Sequence, residues 1–285
     1  MLSLGIDIGG TSVKLALQHD ATTLWTARSQ PYTSPTTPRL IEAIRTAAAG
    51  RISHIDRVGL CVPGLLDSAA RTVRRAVNVP GIVGVRLDDL VHDALGLDPA
   101  VPAALMTDAF ASALDIFAMR RPAGRLLVLS IGTGVGAAVL DEGKPLLVDG
   151  DSPGHIGQID VSLADEPVIA PDGGAGGLEG YIGAAALAGR YGDDPAAILP
   201  RLTIHDPPLR ALARAIRISH AIYRPHHICL CGGIGIRLRH VCDDLHRAVA
   251  QDLTALARPG WTLTTGEDDF HAARGAAGRA DGGIQ

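Results

Sequence analysis

Two glycine turns carry the residue types best suited to phosphate chemistry. Gly9-Gly10-Thr11 interrupts the apolar run MLSLGIDIGGTSVKLAL (1–17), with Asp7 just before it and Lys14 just after. Gly132-Thr133-Gly134 interrupts LLVLSIGTGVGAAVL (126–140) in the same way. In such a turn glycine lets the backbone approach a phosphate, and backbone N–H groups with a threonine hydroxyl act as anion donors. Asp7 supplies a carboxylate that could hold a metal against phosphate oxygens. One glycine turn marks only a turn. Two of them, each tipped by threonine, predict a nucleotide held between two similar half-molecules.

The pattern around these turns alternates strands and helices. Strands are predicted at 2–8, 13–18, 22–28, 57–62, 103–106, 126–132, 135–141 and 227–231. Helical periodicity covers 38–50, 86–96, 109–119, 178–190, 207–223, 236–256 and 268–277. Strands followed by helices in each half argue for two similar α/β domains. The boundary is expected where helix 109–119 runs into Arg120-Arg121-Pro122. That gives an N-terminal domain over 1–115, completed by helix 268–277, a C-terminal domain over 116–267, and a flexible tail over 278–285. Segment 162–177 reads as a loop, and the proline-rich 192–208 as a connector.

Composition narrows the function classes. The chain has 285 residues, enough for about two domains with real cores. A formal net charge of −4 leaves no electrostatic footprint for nucleic acid or an anionic membrane. The longest charge-free stretch, 126–140, is shorter than the ~20 residues a membrane helix needs. No signal peptide is visible, so a cytoplasmic protein is expected. Of four cysteines, Cys61, Cys229 and Cys231 lie in apolar runs and read as small buried hydrophobes. Their spacing with Cys242 suits neither zinc nor an iron–sulfur cluster.

LGIDIGGTSVKLAL (4–17), VGLCVPGLLD (58–67), TDAFASAL (107–114), LSIGTGVGAAVLDEGK (129–144), LEGY (178–181) and CLCGGIG (229–235) follow one another in a telling order. Together they resemble the ROK family of sugar kinases and sugar-responsive repressors, across almost the whole chain. The resemblance implies an actin/hexokinase-type fold, two α/β domains with a cleft between them. It implies ATP as phosphoryl donor with Mg²⁺, the phosphates at Gly9, Gly10, Thr11 and Lys14 and at Gly132, Thr133 and Gly134. Adenosine would lie at Gly232-Gly233, and Asp7 would support Mg²⁺ through water.

Asp108, read from its residue type and place alone, is first a helix N-cap. The resemblance makes it the general base that takes the proton of a sugar hydroxyl. Thr107 stands where the family usually has a sugar-contacting Asn, and is then free to cap. The implied substrate contacts are Gly64, Asn78, Thr107, His155, Gln158 and Glu179. Within DSPGHIGQID (151–160) the chain departs from the family, placing His155 where a glutamate is usual and Gln158 where a histidine is usual. Asp160 is a candidate to orient His155. The family's zinc ligands fall on Ala170, Asp172, Gly177 and Gln158, so no zinc site is expected.

Other classes stay open at this point. A repressor would need a DNA-binding segment ahead of the first turn, and Leu2 already opens a strand. A non-catalytic sugar or nucleotide sensor would account for the altered 155–158 segment. A dehydratase activator of the actin fold would need cluster cysteines in another arrangement. The sugar, its hydroxyl and the choice of ATP or polyphosphate are left undetermined, and relatives that form homodimers leave the oligomeric state open.

Overall fold

The computed structural model describes residues 1–52, 54–98, 101, 103–148, 153–192 and 195–280, the side chains of Pro195 and Ala196 excepted. The first run of elements is β1 (Leu2–Ile8), β2 (Val13–His19), β3 (Thr22–Arg28), α1 (Thr37–Ala48), β4 (Arg57–Val62), β5 (Leu65–Asp67), β6 (Thr72–Arg75), α2 (Leu87–Leu95), β7 (Ala103–Thr107) and α3 (Asp108–Arg120). The second begins with β8 (Arg125–Ile131), β9 (Val135–Asp141), β10 (Lys144–Pro145), α4 (Glu179–Ile182), α5 (Ala184–Tyr191), α6 (Pro195–Ile198) and α7 (Pro207–Tyr223). It continues through β11 (His227–Cys231), α8 (Gly232–Gly235), α9 (Cys242–Asp252) and β12 (Thr262–Thr265) to α10 (His271–Ala280).

The chain divides into two compact units. One comprises Met1–Arg120, Leu147–Ser152 and Phe270–Gln285; the other comprises Arg121–Leu146 and Pro153–Asp269. Each is built on a five-stranded sheet of the same design, β3-β2-β1-β4-β7 in the first and β10-β9-β8-β11-β12 in the second. In both, a hairpin gives the antiparallel pairs and later strands add in parallel. The apolar runs around the two glycine turns are thus equivalent hairpins, β1–β2 and β8–β9. Parallel central strands are covered on both faces, which is why β1 reads as a nearly unbroken apolar run.

The first unit is closed by its last helix. Cβ atoms added to Gly5 of β1 and Gly59 of β4 would lie 1.8 Å from Ala273 O and 1.9 Å from Ala276 O of α10. On its other side, a Cβ at Gly275 would lie 1.8 Å from Ala111 O of α3. Backbone therefore packs on backbone across this three-layer contact. His271 Nδ1 and Arg274 Nε, at 2.6 and 2.9 Å from Asp115 Oδ2, tie α10 to α3 in a buried network. The helix begins at His271, three residues later than the sequence predicts, and runs through residues 278–280, which are helical rather than tail. The remainder of the expected tail, 281–285, lies outside the described residues.

Four further differences sit in the second unit. The helix predicted over 178–190 is two helices, because Gly183 is extended (φ −64°, ψ 158°). The helix predicted over 236–256 starts as a 3₁₀ segment over Ile236–Val241 and ends at Asp252. Arg239 anchors that segment, with Nε donating to Thr265 Oγ1 at 3.1 Å and Nη2 to Gly266 O at 3.0 Å. The strand that receives it, β12, is absent from the sequence expectation, since only alternate residues of TLTT are buried. The proline-rich connector also carries α6 and a 3₁₀ turn, Leu199–Arg201. Among the described residues, no helix is long and apolar enough to cross a membrane.

Candidate functional site

In the first unit the β1–β2 turn is braced from outside itself. Gly9 N–H donates to Ser12 O at 3.1 Å, and Gly9 O accepts the Tyr32 hydroxyl at 2.7 Å. Tyr32 N–H donates to Thr11 O at 2.9 Å, while Ser29 Oγ accepts Val13 N–H at 3.0 Å. Thr11 is left exposed at the tip. Across the hairpin, Lys14 Nζ lies 2.9 Å from Asp7 Oδ2, both side chains being largely buried. Asp7 Oδ1 accepts the Cys61 thiol at 3.7 Å, and that thiol also reaches Ala272 O at 3.6 Å. Cys61 is therefore more than a small hydrophobe. Burial, with the charges of Asp7 and Asp108, holds its pKa well above the ordinary thiol range.

Asp108 opens α3 directly after β7, but it is not the helix cap. Thr107 Oγ1 accepts the Phe110 N–H at 3.4 Å in the capping position, and Asp108 Oδ1 accepts the adjacent Ala109 N–H at 2.8 Å. The carboxyl is pushed up from 3.8 to about 6, first by burial and then by the charge of Asp7, against the opposing pull of Ala109 N–H and Lys14. Asp7, Lys14, Cys61 and Asp108 thus form one electrostatic cluster. Such a carboxyl is mostly ionised at neutral pH yet basic enough to accept a proton.

In the second unit the β8–β9 turn is closed by Gly132 N–H on Gly134 O at 2.9 Å. Neither glycine has positive φ; their contribution is room. A Cβ at Gly132 would meet nothing within 4 Å, whereas one at Gly134 would lie 2.8 Å from Glu179 Oε2. That oxygen accepts Val135 N–H at 2.9 Å. Burial raises the Glu179 carboxyl, opposed by this hydrogen bond. Thr133 is half-buried between the two glycines. Gly232, after β11, does need glycine: its φ is +78°, and a Cβ would lie 2.5 Å from Ile131 O. The Gly232-Gly233 turn accordingly packs on the end of β8, beside the hairpin.

The remaining expected contacts are placed less tightly. Gly64 has φ +93° and packs on Arg75 O, and Asn78 is half-buried. His155 precedes a 3₁₀ turn that Gln158 ends, Gln158 N–H donating to His155 O at 3.0 Å, with both residues exposed. Asp160 does not orient His155. Its Oδ1 instead accepts Ser162 N–H and Oγ at 2.8 and 2.5 Å. Ala170, Asp172 and Gly177, at the family's cysteine positions, belong to a loop held by backbone. Ala170 N–H donates to Gly174 O and Gly173 N–H to Ala170 O, both at 2.8 Å, and Asp172 Oδ1 accepts Gly174 N–H.

Sequence reasoning missed Tyr32, Ser29 and Cys61 as supports of the first turn, and the grip of Glu179 on the second. The profile of the ROK family matches residues 3–281. The chain belongs to the ROK family. Among curated ROK relatives, the N-acetylmannosamine kinase of Escherichia coli (strain SE11) is 29% identical over 170 residues, 58% of this chain and 55% of that protein. The chain thus spans about half the length of the curated relatives it matches. A solved ROK glucokinase from Streptomyces griseus, in complex with glucose and AMPPNP, superposes with a TM-score of 0.76 at 21% identity, covering 99% of this chain and 100% of that one. An inorganic polyphosphate/ATP-glucomannokinase from Arthrobacter sp. strain KM gives 0.67 at 21% identity, with 98% of each chain covered. These likenesses show the two-domain α/β fold of hexokinase type.

Proposed function

We propose that this ROK protein is a kinase transferring the γ-phosphoryl group of ATP to a hydroxyl of a sugar or closely related polyol. The observation that carries the reading is Asp108: a carboxylate relieved of capping by Thr107, with its pKa raised to about 6. Phosphoryl transfer asks the protein mainly for positioning and charge stabilisation, plus one group to take the hydroxyl proton. Asp108 is that group, and its remaining carboxylate oxygen receives the proton as the hydroxyl oxygen attacks phosphorus. Lys14, 2.9 Å from Asp7, offsets part of the Asp7 charge, so that Asp108 is ionised near neutral pH.

In the first unit the Gly9–Thr11 turn offers backbone N–H groups and an exposed hydroxyl to phosphate oxygens. In the second, open space over Gly132 leaves room for phosphate, and the neighbouring Gly232-Gly233 turn is assigned to adenosine. The hard oxygens of Asp7 suit Mg²⁺ bound through water, and that ion would neutralise the phosphoryl charge. Gly64, Asn78, Thr107, His155, Gln158 and Glu179 are assigned to the acceptor. A cytoplasmic location, possession of no nucleic-acid partner and homodimeric assembly belong to the same reading.

A coupled ADP-release assay with Mg·ATP tests it, over a panel holding N-acetylmannosamine, glucose, their epimers and polyols. Polyphosphate as alternative donor makes a parallel arm. Turnover of one member supports the reading. Sugar binding without turnover would favour a sensor, the alternative that the exchange at His155 and Gln158 supports.

A further inference from the structure

Glu179 sits where three segments of the second unit meet. Its Oε2 accepts Val135 N–H at the start of β9, immediately after the phosphate turn. Three glycines clear the space it fills. Added Cβ atoms would lie 2.8 Å from Oε2 at Gly134, 3.2 Å from Oε2 at Gly157 and 3.1 Å from Cγ at Gly183. Gly157 belongs to the Ile156–Gln158 turn, and Gly183 separates α4 from α5. The same junction is tied back to the hairpin by Ala184 N–H on Gly132 O at 3.0 Å. Among the described residues, Glu179 Oε1 has no hydrogen-bond partner.

A turn with glycine at two of three positions has little conformational preference of its own. Its N–H groups face an anion in one geometry only if something outside the turn fixes them. A charge-assisted hydrogen bond accepted by a partly buried carboxylate is well suited to that task. Burying the carboxylate is unfavourable, and its raised pKa is the mark of that cost.

We propose that Glu179 is the positioning residue of the second phosphate hairpin, holding Gly132–Gly134 through Oε2 while Oε1 faces the acceptor, so that donor and acceptor bind cooperatively. The hairpin brace stands on the contacts above; the cooperativity rests on the kinase reading.

The test is calorimetric titration of the full chain with Mg·AMPPNP, alone and with whichever sugar the panel identifies. Glu179→Ala is expected to weaken AMPPNP binding about tenfold without sugar, the scale of one charge-assisted hydrogen bond. Glu179→Gln, whose carbonyl oxygen can still accept Val135 N–H, should hold AMPPNP within about threefold of wild type. It should nevertheless lose the sugar-dependent gain in affinity, a coupling that a merely structural residue would not carry. Gly134→Ala, whose added Cβ would push Oε2 away, should mimic Glu179→Ala and serves if that variant fails to fold.

Wild-type affinity for AMPPNP in folded Glu179→Ala, or in Gly134→Ala, would overturn the brace, as would a wild-type protein that binds no AMPPNP. Undiminished coupling in Glu179→Gln would overturn the cooperativity. If no sugar is turned over but Glu179→Ala still loses nucleotide, the kinase reading fails and the brace survives.

Discussion

Replacing Asp108 by Asn should make the protein more stable and nearly inactive at once. The carboxyl titrates at about 6 in the folded chain, against 3.8 without its surroundings. Its folded-state pKa is raised, so the folded protein binds the proton more tightly than the unfolded chain does. Stability is therefore lost as pH rises from about 4 through about 6, and the full loss is present at neutral pH. At 1.36 kcal/mol per pH unit, the rise corresponds to at most about 3 kcal/mol. Asn is neutral, and its side-chain oxygen can still accept the Ala109 N–H that Oδ1 now takes. The variant should thus recover up to about 3 kcal/mol above pH 6 and almost none near pH 4. Denaturant unfolding of both proteins at several pH values measures this, with ligand-free samples so that binding adds nothing. The same substitution should lower kcat by roughly 10²–10⁴, and wild-type kcat/KM should fall on the acid side with an apparent pKa near 6. A variant no more stable than wild type at pH 7 would refute the electrostatic argument. Near-normal turnover would remove Asp108 from the chemistry.

Three other outcomes are expected. His220 is almost fully buried, with neither ring nitrogen bonded among the described residues; its ring lies 4.5 Å from that of Trp261, and burial with the nearby His246 lowers its pKa from 6.5 to about 4. The unfolded chain takes the proton first, so up to about 3 kcal/mol is lost as pH falls from 6.5 towards 4; His220→Leu should flatten that dependence, and parallel curves would discount it. Protein purified without added metal should contain no stoichiometric zinc, whereas about one tightly held zinc per chain by elemental analysis would contradict the reading of Ala170, Asp172, Gly177 and Gln158. Glucose should be a poor acceptor, because imidazole at His155 offers one acceptor when neutral and none when charged, while a carboxylate could take two hydroxyls; kcat/KM for glucose of ~10⁴ M⁻¹s⁻¹ or more would show the exchange to be tolerated.

The central strands were legible because burial on both faces leaves long apolar runs, and the glycine turns because they interrupt those runs. The eight expected strands appear with ends shifted by no more than a residue, Met106 giving way to Thr107 and Ser130–Ile131 ending β8 before Gly132. What escaped was set by partners distant in the chain. β12 is an edge strand fixed by pairing with β11, and TLTT alone carries too little burial to announce it. The break falls at Gly183, where Glu179 and Thr133 crowd the space a side chain would need, a contact no local pattern announces. For the site, Asp108 and Asp7 were visible through motif order. Cys61 looked like core because its thiol bond to Asp7 spans 54 residues of sequence. Tyr32 supports Gly9 from 23 residues away, and no local pattern encodes such a contact.

The glycine-lined seat of α10 has a consequence for the order in which the protein is made. The helix that covers Gly5 and Gly59 follows Arg121–Leu146 and Pro153–Asp269 in the chain. During synthesis the second unit can emerge and fold while β1, bearing Asp7, waits with an open groove. Domains generally fold as units as they leave the ribosome, so the half holding Asp108 should be completed last. A chain cut short before His271 would then carry every proposed catalytic side chain and still lack their support. The groove it leaves would be shaped for one helix, and a synthetic peptide of residues 268–280 should restore the fold to such a fragment in trans.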